Sequence, residues 1–168
     1  MGRSVLLGVV ATLVVEGLIV AFIVLTGPIS MRADMRPAPL ETNLATRMVD
    51  ANVGRNAPNV PDPMSASDAN LVAGATLYRN NCAVCHGDPA HPQSRLADTM
   101  YPPPPQFMTD AADMKDNENY YIVVHGIRWT GMPGWKNALT DQQIWALVGF
   151  LSHMGNLPPA AKAVFNSH

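Results

Sequence analysis

From Val5 to Thr26 the chain reads VLLGVVATLVVEGLIVAFIVLT, twenty-two residues with one ionisable group. At 1.5 Å per residue a helix of this length reaches about 33 Å, enough to cross the roughly 30 Å hydrocarbon core of a bilayer. Gly27 and Pro28 end the run with residues that stop helices. A cleaved leader has a shorter apolar core, of about 7–15 residues, followed by an A-x-A-like site; the TGPISM that follows here contains no such site. The expectation is therefore an uncleaved, single-pass signal anchor over residues 1–28. Glu16 lies near the middle of the span, where a carboxyl group is costly unless another helix hydrogen-bonds it. Gly17 and Ala21 beside it form a small-xxx-small pair of the kind that allows close helix approach.

Residues 29–66 differ in character. Pro37, Pro39, Pro58, Pro61 and Pro63 are spread among Asn, Ala and Asp. This composition predicts an extended linker or strap with at most a short helical turn over Glu41–Asp50. From Ser67 a helical period sets in. Ser67 and Asp68 are capping residues, and Leu71, Ala75, Tyr78 and Cys82 then fall on one face. A second helix is predicted over Asn117–His125. In a third, Thr140 and Gln143 form a capping box ahead of an Ile144, Leu147, Val148, Leu151 stripe, with Gly155 and Asn156 as terminators. No alternating segment is long enough for a sheet. The fold class is all-α, with a globular domain over residues 67–168.

Composition excludes two function classes. Charged residues are 14% of the chain and the net charge is -2, so there is no basic face to hold nucleic acid. Two cysteines are too few for a disulfide-stapled scaffold.

Those cysteines carry the chemistry. Cys82-Ala83-Val84-Cys85-His86 is C-x-x-C-H, the attachment pattern of c-type haem. Two thiols three positions apart can reach the two vinyl groups on one porphyrin edge, leaving the adjacent histidine under the iron. A thioredoxin-like pair would need a βαβ setting, and a zinc ribbon would need further cysteines; neither is present in the sequence.

A second axial ligand is expected from a loop after the middle helix. The methionine candidates are Met100, Met108, Met114, Met132 and Met154. Met132, within Gly131-Met132-Pro133-Gly134, is favoured because glycine and proline fix a backbone close to a flat cofactor. The other methionines read as fillers of an irregular core. His125 offers a bis-histidine alternative, and His91, His153 and Met108 are the further candidates. Arg128 and Trp129 beside the methionine are candidates to meet the haem propionates. Asp110, Asp113, Asp116 and Glu118 surround Lys115 as an acidic patch that suits either a basic partner or plain solvation.

The stretch GATLYRNNCAVCHG, followed by GMP and a capped final helix, resembles the class I c-type cytochromes, and more specifically the membrane-anchored bacterial monohaem members. The resemblance covers residues 67–159. It implies one covalent haem c, with thioethers at Cys82 and Cys85, His86 as proximal ligand and Met132 as distal ligand. It also implies packing of the first and last haem-domain helices near Gly74, Tyr78 and Trp145. A proline-region carbonyl from Pro89, Pro92 or Pro102–Pro105 would orient the proximal imidazole. The four-proline run and the long strap depart from the small soluble carriers.

Arg3 precedes the span while Arg32, Arg36 and Arg47 follow it, which by charge alone would leave the domain in the cytoplasm. Haem attachment in the family occurs on the other side. The resemblance thus overrules the arginine count and implies a cytoplasmic (inner) membrane protein with a periplasmic haem domain. The function it implies is one-electron transfer in a respiratory or photosynthetic chain, not enzymatic turnover. The expected partners are the lipid bilayer and a membrane redox complex: a quinol-oxidising complex, dehydrogenase, oxidase or reaction centre. The alternative is a small haem enzyme or gas sensor, peroxidase-like, with a labile distal ligand.

Overall fold

The computed structural model describes residues 2–28 and 30–167. Met1, Ile29 and His168, which fall within the anchor, strap and globular ranges expected above, lie outside the described residues. The chain divides into two compact units, Met1–Arg32 and Ala33–His168. Among the described residues every regular element is a helix and there is no strand. The fold class read from the sequence is borne out.

The first unit is essentially one helix, α1 (Gly2–Thr26), none of whose side chains is buried within the protein. It is long and apolar enough to cross a membrane.

The second unit contains α2 (Pro39–Asn56), α3 (Asp68–Asn81), the single turn α4 (Ala83–His86), α5 (Asp116–His125), α6 (Asp141–His153) and α7 (Pro159–Asn166). Its centre is the crossing of α3 and α6, the most extensive helix contact, with α7 packed on α3 and α5 on α6. Capping starts α3 and α6 where the sequence places them. Ser67 accepts a hydrogen bond from Asn70 N, and Thr140 exchanges the two bonds of a capping box with Gln143. The core they enclose is aromatic: Tyr78 lies against Phe150 and Phe165 at ring centroid distances of 5.3 and 5.7 Å. Trp145 is buried too, but stacks on Tyr120 of α5 at 4.3 Å. Such aromatic pairs add to the burial of apolar area that holds the domain.

Two elements go beyond the sequence expectations. The strap contains an eighteen-residue helix instead of one short turn. Its prolines bracket the helix instead of interrupting it: Pro39 occupies the first turn, where a missing N–H costs nothing, and Pro58 lies past the end. Val49 and Val53, four residues apart, share the inward face of α2, and Val53 is only 4% exposed. The segment is fastened by Tyr121 Oη donating to Asn52 Oδ1 at 3.2 Å and Asn117 Nδ2 donating to the Pro58 carbonyl at 2.9 Å. Secondly, α6 ends at His153, beside the expected terminators Gly155 and Asn156, but a further helix follows. Both terminators lie in a 3₁₀ turn leading into α7, which buries Ala161 and Phe165.

Candidate functional site

The C-x-x-C-H residues form the junction of α3 and α4. Cys82 ends the long helix and begins the short one, so its carbonyl receives both Cys85 N at 3.0 Å and His86 N at 2.9 Å. That tight turn places the thiols of Cys82 and Cys85 and the imidazole of His86 on the wall of one cavity of about 520 Å³, a volume typical of cofactor sites. Both cysteines are free thiols, unlinked to each other. Burial, with Cys85 adding to it, pushes the Cys82 thiol up to about 12, which keeps it protonated at neutral pH.

The His86 ring is fixed from two directions. Its Nδ1 lies 2.9 Å from the Pro105 carbonyl; a carbonyl only accepts, so Nδ1 carries the proton and Nε2 is left to bind a metal. The ring of Phe107 stacks on the imidazole at 4.7 Å and 4°. Desolvation lowers the His86 pKa, with the Pro105 bond opposing it, so the neutral form, the one that ligates metals, is favoured. Of the prolines that offered a carbonyl in the sequence, the structure selects Pro105.

Met132 reaches the same cavity from a loop tied back onto the end of α5. Ile127 N donates to the Met132 carbonyl at 3.1 Å, Met132 N donates to Thr130 Oγ1 at 3.1 Å, and Trp135 N donates to the Val123 carbonyl at 2.9 Å. The loop is too close to α5 for any side chain at Gly126. A Cβ there would lie 2.6 Å from the Met132 carbonyl oxygen, and φ is +67°, a region only glycine enters freely. The sequence marked this loop by its glycines and proline, and the structure gives the reason.

Other candidates separate cleanly. Met100 and Met114 also line the cavity, with Met100 Sδ resting against Gly131. Met108 and Met154 pack on the hydrophobic core instead. His91, His125 and His153 are absent from the cavity lining. His91 pairs with Asp88, His125 packs on Tyr121 and His153 Nδ1 contacts the Gly149 carbonyl. Arg128 and Trp129 are not on the wall either, and Trp129 is 86% exposed. Wall residues that sequence reasoning missed include Phe107, Trp135, Ile127 and Leu147, together with Val49 and Asp50 of the strap. Trp135 carried a signal, since it closes the same Gly-Pro-containing loop as Met132. Val49 and Asp50 carried none, because nothing in their local pattern shows what α2 packs on.

The lining is mainly apolar, and Asp50, Asp110 and Asp113 supply the carboxylates at the cavity without a single Lys or Arg among the described lining residues. Two thiols, an imidazole with one free nitrogen and a thioether in an apolar cavity of this size are a donor set that fits haem.

Residues 69–151 match the family model described as cytochrome c oxidase, cbb3-type, subunit III. These residues form a domain of the class I c-type cytochromes. The matched segment of this cytochrome runs from the first turn of α3 into α6 and so contains every wall residue contributed by those helices and the loops between them. A thiosulfate dehydrogenase of Stutzerimonas stutzeri (strain A1501) is 28% identical over 106 residues, which are 59% of this chain and 31% of that protein. The cytochrome thus spans about a third of the relative's length. Membership of the family means c-type haem and electron transfer.

Proposed function

We propose that this cytochrome is a membrane-tethered electron carrier that holds one haem c through thioethers at Cys82 and Cys85, with His86 and Met132 as its axial ligands. The observation that carries the reading is the meeting of all four side chains on one apolar cavity wall. One haem is proposed because the chain has two cysteines and thus a single C-x-x-C-H. When bound, the group supplies a one-electron Fe(III)/Fe(II) couple, and a histidine–methionine pair sets it higher than two histidines would. The protein's own part is to orient His86, exclude water with the apolar wall and keep the sixth position filled by Met132. With both axial positions taken there is no open site for a substrate, which favours electron transfer over the peroxidase-like or gas-sensing alternative.

The division of labour along the chain is an anchor over residues 1–28, a strap over 29–66 and a haem domain over 67–168. The apolar character of α1 supports a single-pass anchor, and c-type haem attachment supports a periplasmic haem domain. Partners of the kind named above, a dehydrogenase or an oxidase in particular, agree with the descriptions of the matching family and relative. Glu16 in the span supports a fixed place beside another transmembrane helix.

Met132→His tests the ligand assignment. The haem should stay low-spin and six-coordinate while its potential falls, within the roughly 0.8 V that axial ligands command. An unchanged spectrum and potential would remove Met132 from the iron. Ready CO binding by the reduced wild-type protein would favour the enzyme or sensor reading.

A further inference from the structure

α4 has only four residues, too few to satisfy its own carbonyls within the helix. Each finds a specific partner. Ala83 O accepts from Gly87 N at 2.9 Å, and His86 O accepts from Phe107 N at 3.1 Å. Val84 O accepts from the hydroxyl of the buried Ser94. Cys85 O accepts from Gln106 Nε2 at 2.9 Å.

Gln106 does more than cap that carbonyl. Its Nε2 also donates to the Pro104 carbonyl at 2.8 Å, and its Oε1 accepts from Ser94 N at 2.7 Å. One side-chain amide therefore joins three segments: the cysteine turn, the Ser94 bend and the proline run. Pro105 lies between the two residues so fastened, Pro104 and Gln106, and its carbonyl is the acceptor for His86 Nδ1. The plane of the imidazole is held by Phe107; the placing of the acceptor falls to Gln106.

We propose that Gln106 is the positioning residue for the proximal imidazole, clamping the proline run to the cysteine turn so that the Pro105 carbonyl stays on His86 Nδ1. The proposal rests on His86 being an axial ligand, as read above. An Nδ1–H···O=C bond fixes the ring and increases donation from the other nitrogen to a metal. Stronger donation stabilises the ferric state. Releasing the carbonyl weakens it, so loss of the clamp raises the midpoint potential.

The test uses the full-length, haem-loaded protein. Gln106→Met keeps the length of the side chain and removes its hydrogen bonds; Gln106→Asn keeps the amide but falls one methylene short. Expected results are an upward shift in midpoint potential and faster solvent exchange of the His86 Nδ1 proton by NMR, larger for Gln106→Met. Arg79→Ala serves as a control for general loosening. Arg79 ties α3 to the C-terminal helix through the Val164 carbonyl and Ser167 Oγ. A folded Gln106→Met with wild-type potential and exchange overturns the proposal, as does an equal shift in Arg79→Ala. If Gln106→Met takes up no haem, Gln106→Asn decides by the same two readings. Failure of both to take up haem also overturns it, since Gln106 would then serve folding and not the aim of His86. His86→Ala separates the underlying assumption: a low-spin six-coordinate spectrum in that variant would show that His86 is not the ligand, and the proposal would fall with it.

Discussion

Gly74 on α3 rests against the backbone carbonyl of Ala146 on α6, so closely that a side chain has no place between them. A Cβ at Gly74 would also lie 2.6 Å from Phe150 Cβ. Neither obstacle is the loose end of a flexible side chain, so relief requires the helices to part. Gly74→Ala should cost about 1–3 kcal/mol, the usual range for overpacking a core. Urea denaturation of the haem-loaded protein measures it: the midpoint should fall while the slope stays constant. An unchanged midpoint would mean that the two helices separate without cost.

How far the sequence carried this reading depends on whether a feature is local. C-x-x-C-H, the Ser67 cap and the Thr140–Gln143 capping box are set by residues within a few positions of one another, and each appears in the structure. Gly74 was legible only through family resemblance; its physical reason, a carbonyl seventy-two positions away in α6, is tertiary. The choice of Pro105 among several prolines was not legible for the same reason. It depends on a side-chain amide, Gln106, that meets the cysteine turn across twenty-one positions. The strap misled in a different way. Its proline content weighed against a helix, yet no proline lies between Leu40 and Asn56, and docking of Val53 provides the tertiary support that helix propensity alone lacks.

The strap helix should add measurably to the stability of the haem domain. Val53 is buried on α2, and Val53→Ala removes two methyl groups, worth about 1.5 kcal/mol at roughly 0.8 kcal/mol each. The loss should appear in a chain that retains residues 33–168. A chain of residues 67–168 should still take up haem, because both cysteines, His86 and Met132 lie within it, but should melt earlier than the longer one. Since Val49 and Asp50 also form part of the cavity wall, the shorter chain should react faster with a small oxidant such as ferricyanide. Equal melting temperatures and oxidation rates for the two chains would show that α2 is only a passenger.

Asp62, just after the strap helix, gives the domain a pH dependence of defined sign. Its Oδ1 accepts from Met64 N at 2.7 Å, and its Oδ2 faces Gly149 of α6. Desolvation raises its pKa and the Asp116 carboxylate raises it further, against the lowering effects of the Met64 bond and His153. Below the unfolded value of 3.8 the group is neutral in both states and costs nothing. As pH rises through the elevated folded value, the native protein must ionise a partly desolvated carboxyl, and stability is lost. Asn keeps the acceptor for Met64 N and cannot ionise. Asp62→Asn should therefore melt higher than the wild type at pH 7, with the advantage shrinking on acidification and gone below about pH 4. Thermal melts of the two haem-loaded proteins across that range provide the comparison. An advantage that persists undiminished at low pH would place its origin in packing or hydrogen bonding instead of charge, and a wild type more stable at pH 7 would mean that the attraction of His153 outweighs desolvation.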